Sequence, residues 1–209
     1  MKLIIFGVKR TAKKIADIIH NNKNFTIAGF IGNNKEKLEL HGKKIFKNYL
    51  FLGIINDIAN LKKNDNEIIA FIVGSSDRNF REEIYYKLEN AKLYAVNAIS
   101  KSCEIHPSVI LGKGVIIEDG VIIKKNTIIG NNCLIKRRVK IGEKVTINHN
   151  CIIGERVKIS NEVLLNRGCL LKNDSSILPH VVIGKNQVIE KKSKIAVNLE
   201  SKYKKDFCE

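Results

Sequence analysis

Tryptophan is missing from this 209-residue chain, and aromatic side chains make up only 6% of it. So few flat rings leave no platform on which nucleobases could stack, and no stretch reads as a recognition helix. The chain nonetheless carries a formal charge of +16. No basic tail and no block of like charges collects that charge. It reads as lysine-decorated solvated surface whose field favours a small anionic ligand, and nucleic acid is not expected as a partner. Long apolar runs are missing too. Nothing is long enough to span a bilayer, and Met1–Phe6 opens directly into a strand pattern rather than a leader, so the expected setting is cytoplasmic. Cysteine is sparse and odd in number, five in all. That argues against a disulfide framework, and no residue spacing suggests a metal site.

What the chain does have is a repeat. From Ile105 to Ile195 an isoleucine or leucine returns at every sixth position without a break. Four residues after each stands a small or β-branched residue, as in Val109, Val115, Thr127 and Cys133. A helix wants apolar residues at i, i+3, i+4 and i+7, and an ordinary strand wants strict alternation, so a period of six fits neither. It fits a coil of short parallel strands, three faces to a turn, with turns stacked at about 4.8 Å. Fifteen units then make five turns. Cys133, Cys151 and Cys169 stand eighteen residues apart and should share one inward column as small apolar residues. His149 falls two residues after Ile147, outside the inward columns. It shares an eighteen-residue column with Lys113, Asn131, Arg167 and Lys185, polar throughout, and should project from the coil. His20, His41, His106 and His180 belong to no motif.

The first half reads differently. Lys2–Phe6 is a short apolar run ending at Gly7, and Thr11–Ile19 has helical spacing through Ile15, Ile18 and Ile19. Phe25–Ile31 is a second apolar run closing on Gly32, Asn33 and Asn34. Residues 50–61 carry a mixed strand-to-helix pattern, Ile68–Val73 is a third buried strand ending at Gly74, and Arg78–Leu88 is helical. Tyr94, Ala95 and Val96 make one more strand. Strands alternating with helices point to a small parallel α/β sheet of Rossmann type. Such sheets bind ligands at the carboxyl ends of their strands, here Gly7–Ala12, Gly32–Asn34 and Gly74–Arg78. The expected division is residues 1–103, 104–197 and a tail of 198–209.

Three local features accompany this architecture: Phe30-Ile31 with its turn; Ile72-Val73-Gly74-Ser75-Ser76 with Arg78 and Arg81 behind it; and Ile147-Asn148-His149-Asn150-Cys151-Ile152-Ile153-Gly154. Together they resemble the hexapeptide-repeat sugar acetyltransferases, which include sialic acid O-acetyltransferases and nucleotide-4-amino-sugar N-acetyltransferases. The resemblance implies a left-handed parallel β-helix, an exception to the right-handed crossover rule, after the Rossmann-like domain. It implies acetyl transfer from acetyl-CoA, without a metal, to an amine or hydroxyl of a sugar or nucleotide sugar used in bacterial surface glycans. In the family the first domain holds the sugar and acetyl-CoA lies between adjacent coils of a homotrimer.

Carried over residue by residue, His149 is the expected general base, because imidazole can take a proton near neutral pH. Asn150 stands where the family has an acid and is the second expected catalytic residue, its amide holding the His149 ring weakly in place of the carboxylate. Gly7, Lys9, Arg10, Asn33, Gly74, Ser75 and Ser76 are the expected acceptor contacts, and Arg167 and Lys185 the expected coenzyme contacts. The chain departs from the family in its first loop, which has one glycine. Gly32-Asn33 replaces the usual acidic pair, and Ala196–Leu199 replaces the terminal glycine and proline turn. Two other readings stay open: an acyltransferase with a different small acceptor, and a catalytically silent trimeric scaffold.

Overall fold

The computed structural model describes residues 1–20, 24–33, 36, 39–40, 43–46, 49–54 and 69–200. Asn34, His41, the stretch 55–61, Ile68 and the tail from 201 lie outside the described residues. By its contacts the chain divides into two units, Met1–Lys101 with Lys113–Ile117, and Ser102–Gly112 with Glu118–Glu209.

In the first unit, strand β1 (Lys2–Phe6) is buried in all but its first residue. Helix α1 (Arg10–His20) follows, burying Thr11, Ala12, Ile15, Ala16 and Ile19 on one face. Then come β2 (Thr26–Gly32), β3 (Lys44–Ile45), β4 (Tyr49–Ile54), β5 (Ile69–Val73), α2 (Arg78–Asn90) and β6 (Tyr94–Ala95). Their sheet runs in the order β3-β4-β2-β1-β5-β6. Every pairing is parallel except that of the edge strand β3 with β4. The parallel strands follow the doubly wound order, in which the chain reverses direction across the sheet between β1 and β5. Phe6, Phe71, Tyr85 and Leu88 form the aromatic and aliphatic core on one side of it. The antiparallel β3 was not foreseen. Two residues long, it is too short to show an alternation.

The six-residue coil begins one repeat earlier than the sequence reading placed it. Ala98–Ile99 pairs in parallel with Ile116–Ile117, and Ile99 stands six residues before Ile105. The sequence carries the repeat there too, Ile99 with Cys103 four residues on, although Ile99 is exposed rather than part of the buried column.

In the second unit two-residue strands from Glu104–Ile105 to Lys194–Ile195 follow the six-residue period, and each up to Ser176–Ile177 pairs with the strand eighteen residues on. The second residue of each strand points inward. Ile123, Ile141, Ile147, Ile153 and Leu165 are all at most 1% exposed. Cys133, Cys151 and Cys169 are buried completely, each donating its S–H to a carbonyl of the following turn, Asn148, Asn166 and Gly184 respectively.

Between strands the chain turns a corner, and the corner residue sits in the left-handed region. Asn126, Asn132, Arg138, Lys144, Asn150, Arg156, Glu162, Asp174, His180, Asn186 and Lys192 all have φ between 54° and 64°. Non-glycine residues avoid this conformation at a cost of about 1–2 kcal/mol, so the coil imposes it through its stacked hydrogen bonds. Gly168 takes the same corner without that cost.

Candidate functional site

The first concentration of functional chemistry lies at the carboxyl ends of β1, β2 and β5. Gly7 has φ 121°, and a Cβ there would stand 2.6 Å from the carbonyl oxygen of Gly74. A Cβ on Gly74 would in turn stand 2.8 Å from Cα of Ala12. Both glycines are therefore required by a close approach of two turns, and not only by the turns themselves. Gly7 N–H donates to Ile31 O at 2.7 Å and Gly74 N–H to Phe6 O at 2.6 Å, which locks the turns to the strand ends.

Around these turns is a cavity of about 290 Å³ lined by Gly7, Lys9, Arg10, Asn33, Ser75 and Ser76 among others. All of these were singled out from the sequence; Gly74 itself lies beneath the lining as the packing partner of Gly7. The lining also holds Val8, Thr11 and Asp77, which lie in the strand-end loops expected to bind a ligand, and Glu36 and Phe80, which lie outside those loops. Thr11 Oγ1 meets Ser76 Oγ at 2.8 Å, joining the first turn of α1 to the loop after β5. Asn33 and Glu36 close a reciprocal pair: Asn33 N–H donates to Glu36 Oε2 at 2.8 Å and Glu36 N–H to Asn33 Oδ1 at 2.9 Å. This is the capping-box arrangement. Its N-x-x-E spacing is the sequence signal for Glu36.

Charge at this cavity runs against what the helix alone would prefer. The first turn of α1 contains no acid, and Lys9 and Arg10 stand at its positive dipole end. Each cation there costs roughly 0.3–1 kcal/mol. An anion at the same place would reverse the sign, since free N–H groups, the dipole and both side chains all favour it. Arg81 does not add to this field from the surface. It is 1% exposed, and its Nη1 donates to the carbonyls of Val73 and Ser75, holding the Gly74 turn from below. Asp77 caps α2, accepting Phe80 N–H at 3.0 Å.

The second concentration is the corner of the coil that carries His149. The strands Ile128–Ile129, Thr146–Ile147, Leu164–Leu165 and Val182–Ile183 stack in register. Asn131, His149, Arg167 and Lys185, each two residues past its strand, therefore form one column. His149, Arg167 and Lys185 are exposed.

The ring of His149 has a definite partner: its Nδ1 accepts the backbone N–H of Asn131 at 2.9 Å. Asparagines do the same elsewhere in the coil. Asn161 Oδ1 accepts Glu143 N–H, and Asn173 Oδ1 accepts Glu155 N–H, both at 2.9 Å. A glycine precedes each of these donors. A Cβ on Gly154 would come within 2.7 Å of Asn173 Oδ1, and one on Gly130 within 2.7 Å of His149 Nδ1. His149 thus occupies a backbone-capping station otherwise served by asparagine. With Nδ1 accepting, the neutral ring carries its hydrogen on Nε2.

Asn150, expected beside the ring, is turned away from the surface. It is 2% exposed, sits at the left-handed corner with φ 60°, and its Oδ1 accepts Asn132 Nδ2–H at 2.8 Å. The remaining described histidines are engaged locally, His20 with Tyr49, His106 with Ser108 and His180 with Glu162. No group of three or more His, Cys, Asp or Glu that could hold a metal occurs among the described residues.

Comparison with known proteins bears on both regions. Residues 2–88 match the family model of the PglD N-terminal domain, and residues 89–173 that of the GMPPB C-terminal domain. No curated protein gives a significant sequence match. Among solved structures, a histidine-to-asparagine variant of perosamine N-acetyltransferase from Caulobacter crescentus, in complex with CoA and GDP-perosamine, superposes with a TM-score of 0.87 at 20% identity. The match covers 96% of this chain and 90% of that one. WeeI from Acinetobacter baumannii AYE matches with a TM-score of 0.72 at 13% identity, over 96% and 97% of the two chains. The acetyltransferase domain of PglB from Neisseria gonorrhoeae FA1090 matches with a TM-score of 0.57 at 14% identity, over 95% and 92%. With one domain model matched in each half and a fold shared from end to end with these proteins, the chain has the two-domain architecture that its repeat and turn motifs lead one to expect.

Proposed function

We propose that the protein transfers an acetyl group from acetyl-CoA to an amino or hydroxyl group of a sugar or nucleotide sugar, in the cytoplasm, for a bacterial surface glycan. The observation that carries this reading is the cavity at the ends of β1, β2 and β5. Two cations at the positive end of α1, paired hydroxyls from Thr11 and Ser76, and an Asn33-Glu36 rim suit a ligand with anionic phosphate on one side and hydroxyls on the other. A nucleotide sugar has both. The fold shared with a perosamine N-acetyltransferase solved with CoA and GDP-perosamine supports the same substrate class.

In this proposal Lys9, Arg10, Ser75 and Ser76 hold the acceptor. His149 receives the proton that leaves the attacking amine or hydroxyl, and Arg167 and Lys185 in its column meet the phosphates of the coenzyme. For Nε2 to accept, the ring hydrogen has to stand on Nδ1, and the bond from Asn131 N–H is then given up. A net hydrogen bond is worth about 0.5–1.5 kcal/mol, small against the 10²–10⁴-fold that a general base typically supplies.

The outward row Ile110, Ile128, Thr146, Leu164 and Val182, in which Ile110, Ile128 and Val182 are 61%, 44% and 37% exposed, stands three residues before the column of Lys113, Asn131, His149, Arg167 and Lys185. An apolar face at that place favours a second copy packing there and closing a homotrimer. Light scattering should then give three chains, and Ile128→Lys should yield monomers.

One observation favours a different reading. Since His149 Nδ1 does the work of an asparagine, the chain could have kept the histidine for capping alone and be a silent scaffold. The deciding experiment incubates the protein with acetyl-CoA and a panel of nucleotide amino sugars and sialic acids, and follows free coenzyme A. Release with one acceptor supports the enzyme, and no release with any supports the scaffold.

A further inference from the structure

The outward faces of the coil differ in a way that the linear sequence conceals. On the ladder running through Glu104, Ile122, Lys140, Lys158, Ser176 and Lys194, the first residue of each strand is the outward one. Lys140 and Lys158 are direct cross-strand neighbours, about 4.8 Å apart along the stack. Lys194 follows after a single serine. All three lysines are exposed, and none makes an ion pair among the described residues.

Several corners of the coil show the opposite arrangement. At its corners, residues eighteen apart are matched by opposite sign: Lys125 with Glu143, Arg137 with Glu155, Lys144 with Glu162, Arg156 with Asp174 and Lys172 with Glu190. Like charges directly opposite in a sheet are destabilising. On this face lysine stands directly opposite lysine with no acid in the row between Lys140 and Lys194, and an external anion would relieve that repulsion.

Arg138 and Lys192, exposed two residues before Lys140 and Lys194, extend the charge. The nearby acid Asp174 is engaged by Arg156 at 2.6 Å. At the far end Ile122 separates Glu104 from the row.

We propose that this lysine face docks the protein on an anionic phospholipid surface. The row repeats along one in-register ladder of parallel strands, a regular line of charge that suits a plane of headgroups better than a discrete ligand. Single-stranded nucleic acid would need stacking partners, and residues 105–195 contain no Phe, Tyr or Trp. Lysine is a compact point charge that asks for no particular acceptor geometry, and several basic residues in one patch attract anionic leaflets additively.

The test measures co-sedimentation of the full chain with phosphatidylcholine vesicles with and without phosphatidylglycerol. Wild type should bind only the anionic vesicles and should release at high salt. Lys140→Ser with Lys158→Ser and Lys194→Ser, the serine being native to this row at 176, should lower the partition coefficient on the order of a hundredfold. Lys125→Ser with Lys144→Ser and Lys172→Ser removes the same charge from paired positions and should lower it far less. Circular dichroism checks that both variants are folded. Failure of wild type to bind anionic vesicles, equal losses in the two triple variants, or preferential binding to duplex DNA would each overturn the proposal. None of these outcomes depends on acetyl transfer.

Discussion

The two units of this chain keep their functional groups in order by opposite means. In the Rossmann-like unit, residues far apart in sequence converge because three strand ends open on one edge, and Gly7 must lie within reach of Gly74 for them to meet. In the coil nothing converges; each polar residue repeats the station of the one eighteen residues before it. Function in the first unit is therefore read from proximity, and in the second from departures, such as a histidine among capping asparagines or a lysine stacked on a lysine.

The coil's regularity should make it intolerant inside and permissive outside. Ile147→Asp would place an unpaired carboxylate in a column with no exposure, at a cost of several kcal/mol. Loss of the cooperative thermal transition is the expected outcome. Ile128→Asp, facing out at 44% exposure, should leave the chain folded. A cooperative Ile147→Asp variant would mean that the inward column has been misassigned.

Next in size is His149→Ala, for which turnover should fall by about 10²–10⁴-fold while coenzyme binding, followed by calorimetry, persists.

The Rossmann-like edge should show a smaller effect of mixed sign. Lys9→Ala with Arg10→Ala removes two cations from the positive end of α1. The ligand-free protein should gain roughly 1 kcal/mol, seen as a melting temperature a few degrees higher. The acceptor's KM should rise while that for acetyl-CoA changes little. Damage to both substrates alike would remove these residues from the acceptor site.

The smallest effect concerns pH. The Cys151 thiol is held well above its ordinary value, first by the hydrogen bond with Cys133, then by that with Cys169 and by burial. A folded-state value raised above the unfolded one contributes stability that is complete below the unfolded thiol's pKa of about 8.5 and is lost as pH rises past it. Cys151→Val, with the residue type already found at Val139 and Val157, should flatten the alkaline decline of the melting temperature.

The contrast between units also explains what could be read from the sequence. The period of six announced the coil because each inward column repeats a single residue type, and the strand-helix alternation announced the parallel sheet. Lys9, Arg10, Ser75 and Ser76 were legible because loops after parallel strands share one edge. Glu36 was not, since its place in the cavity depends on an Asn33 cap, and for Thr11, inside the expected first loop, only the fold supplies the partner hydroxyl of Ser76. The side chain of Asn150 was expected at the His149 ring, but the left-handed corner turns it onto Asn132. The lysine face was hidden for a similar reason: Lys140, Lys158 and Lys194 never form a charge block along the chain.

The most direct measurement of the central claim compares coenzyme A release by wild type and by His149→Asn, with the best nucleotide-sugar acceptor from the panel. Asparagine is the residue the coil itself uses at Asn161 and Asn173 to cap the backbone, so the variant should fold like wild type and test the imidazole alone. The account predicts release by wild type and a loss of about 10²-fold or more in His149→Asn at an unchanged melting temperature. Equal release by the two proteins would show that the histidine only caps the backbone and would contradict the proposed site.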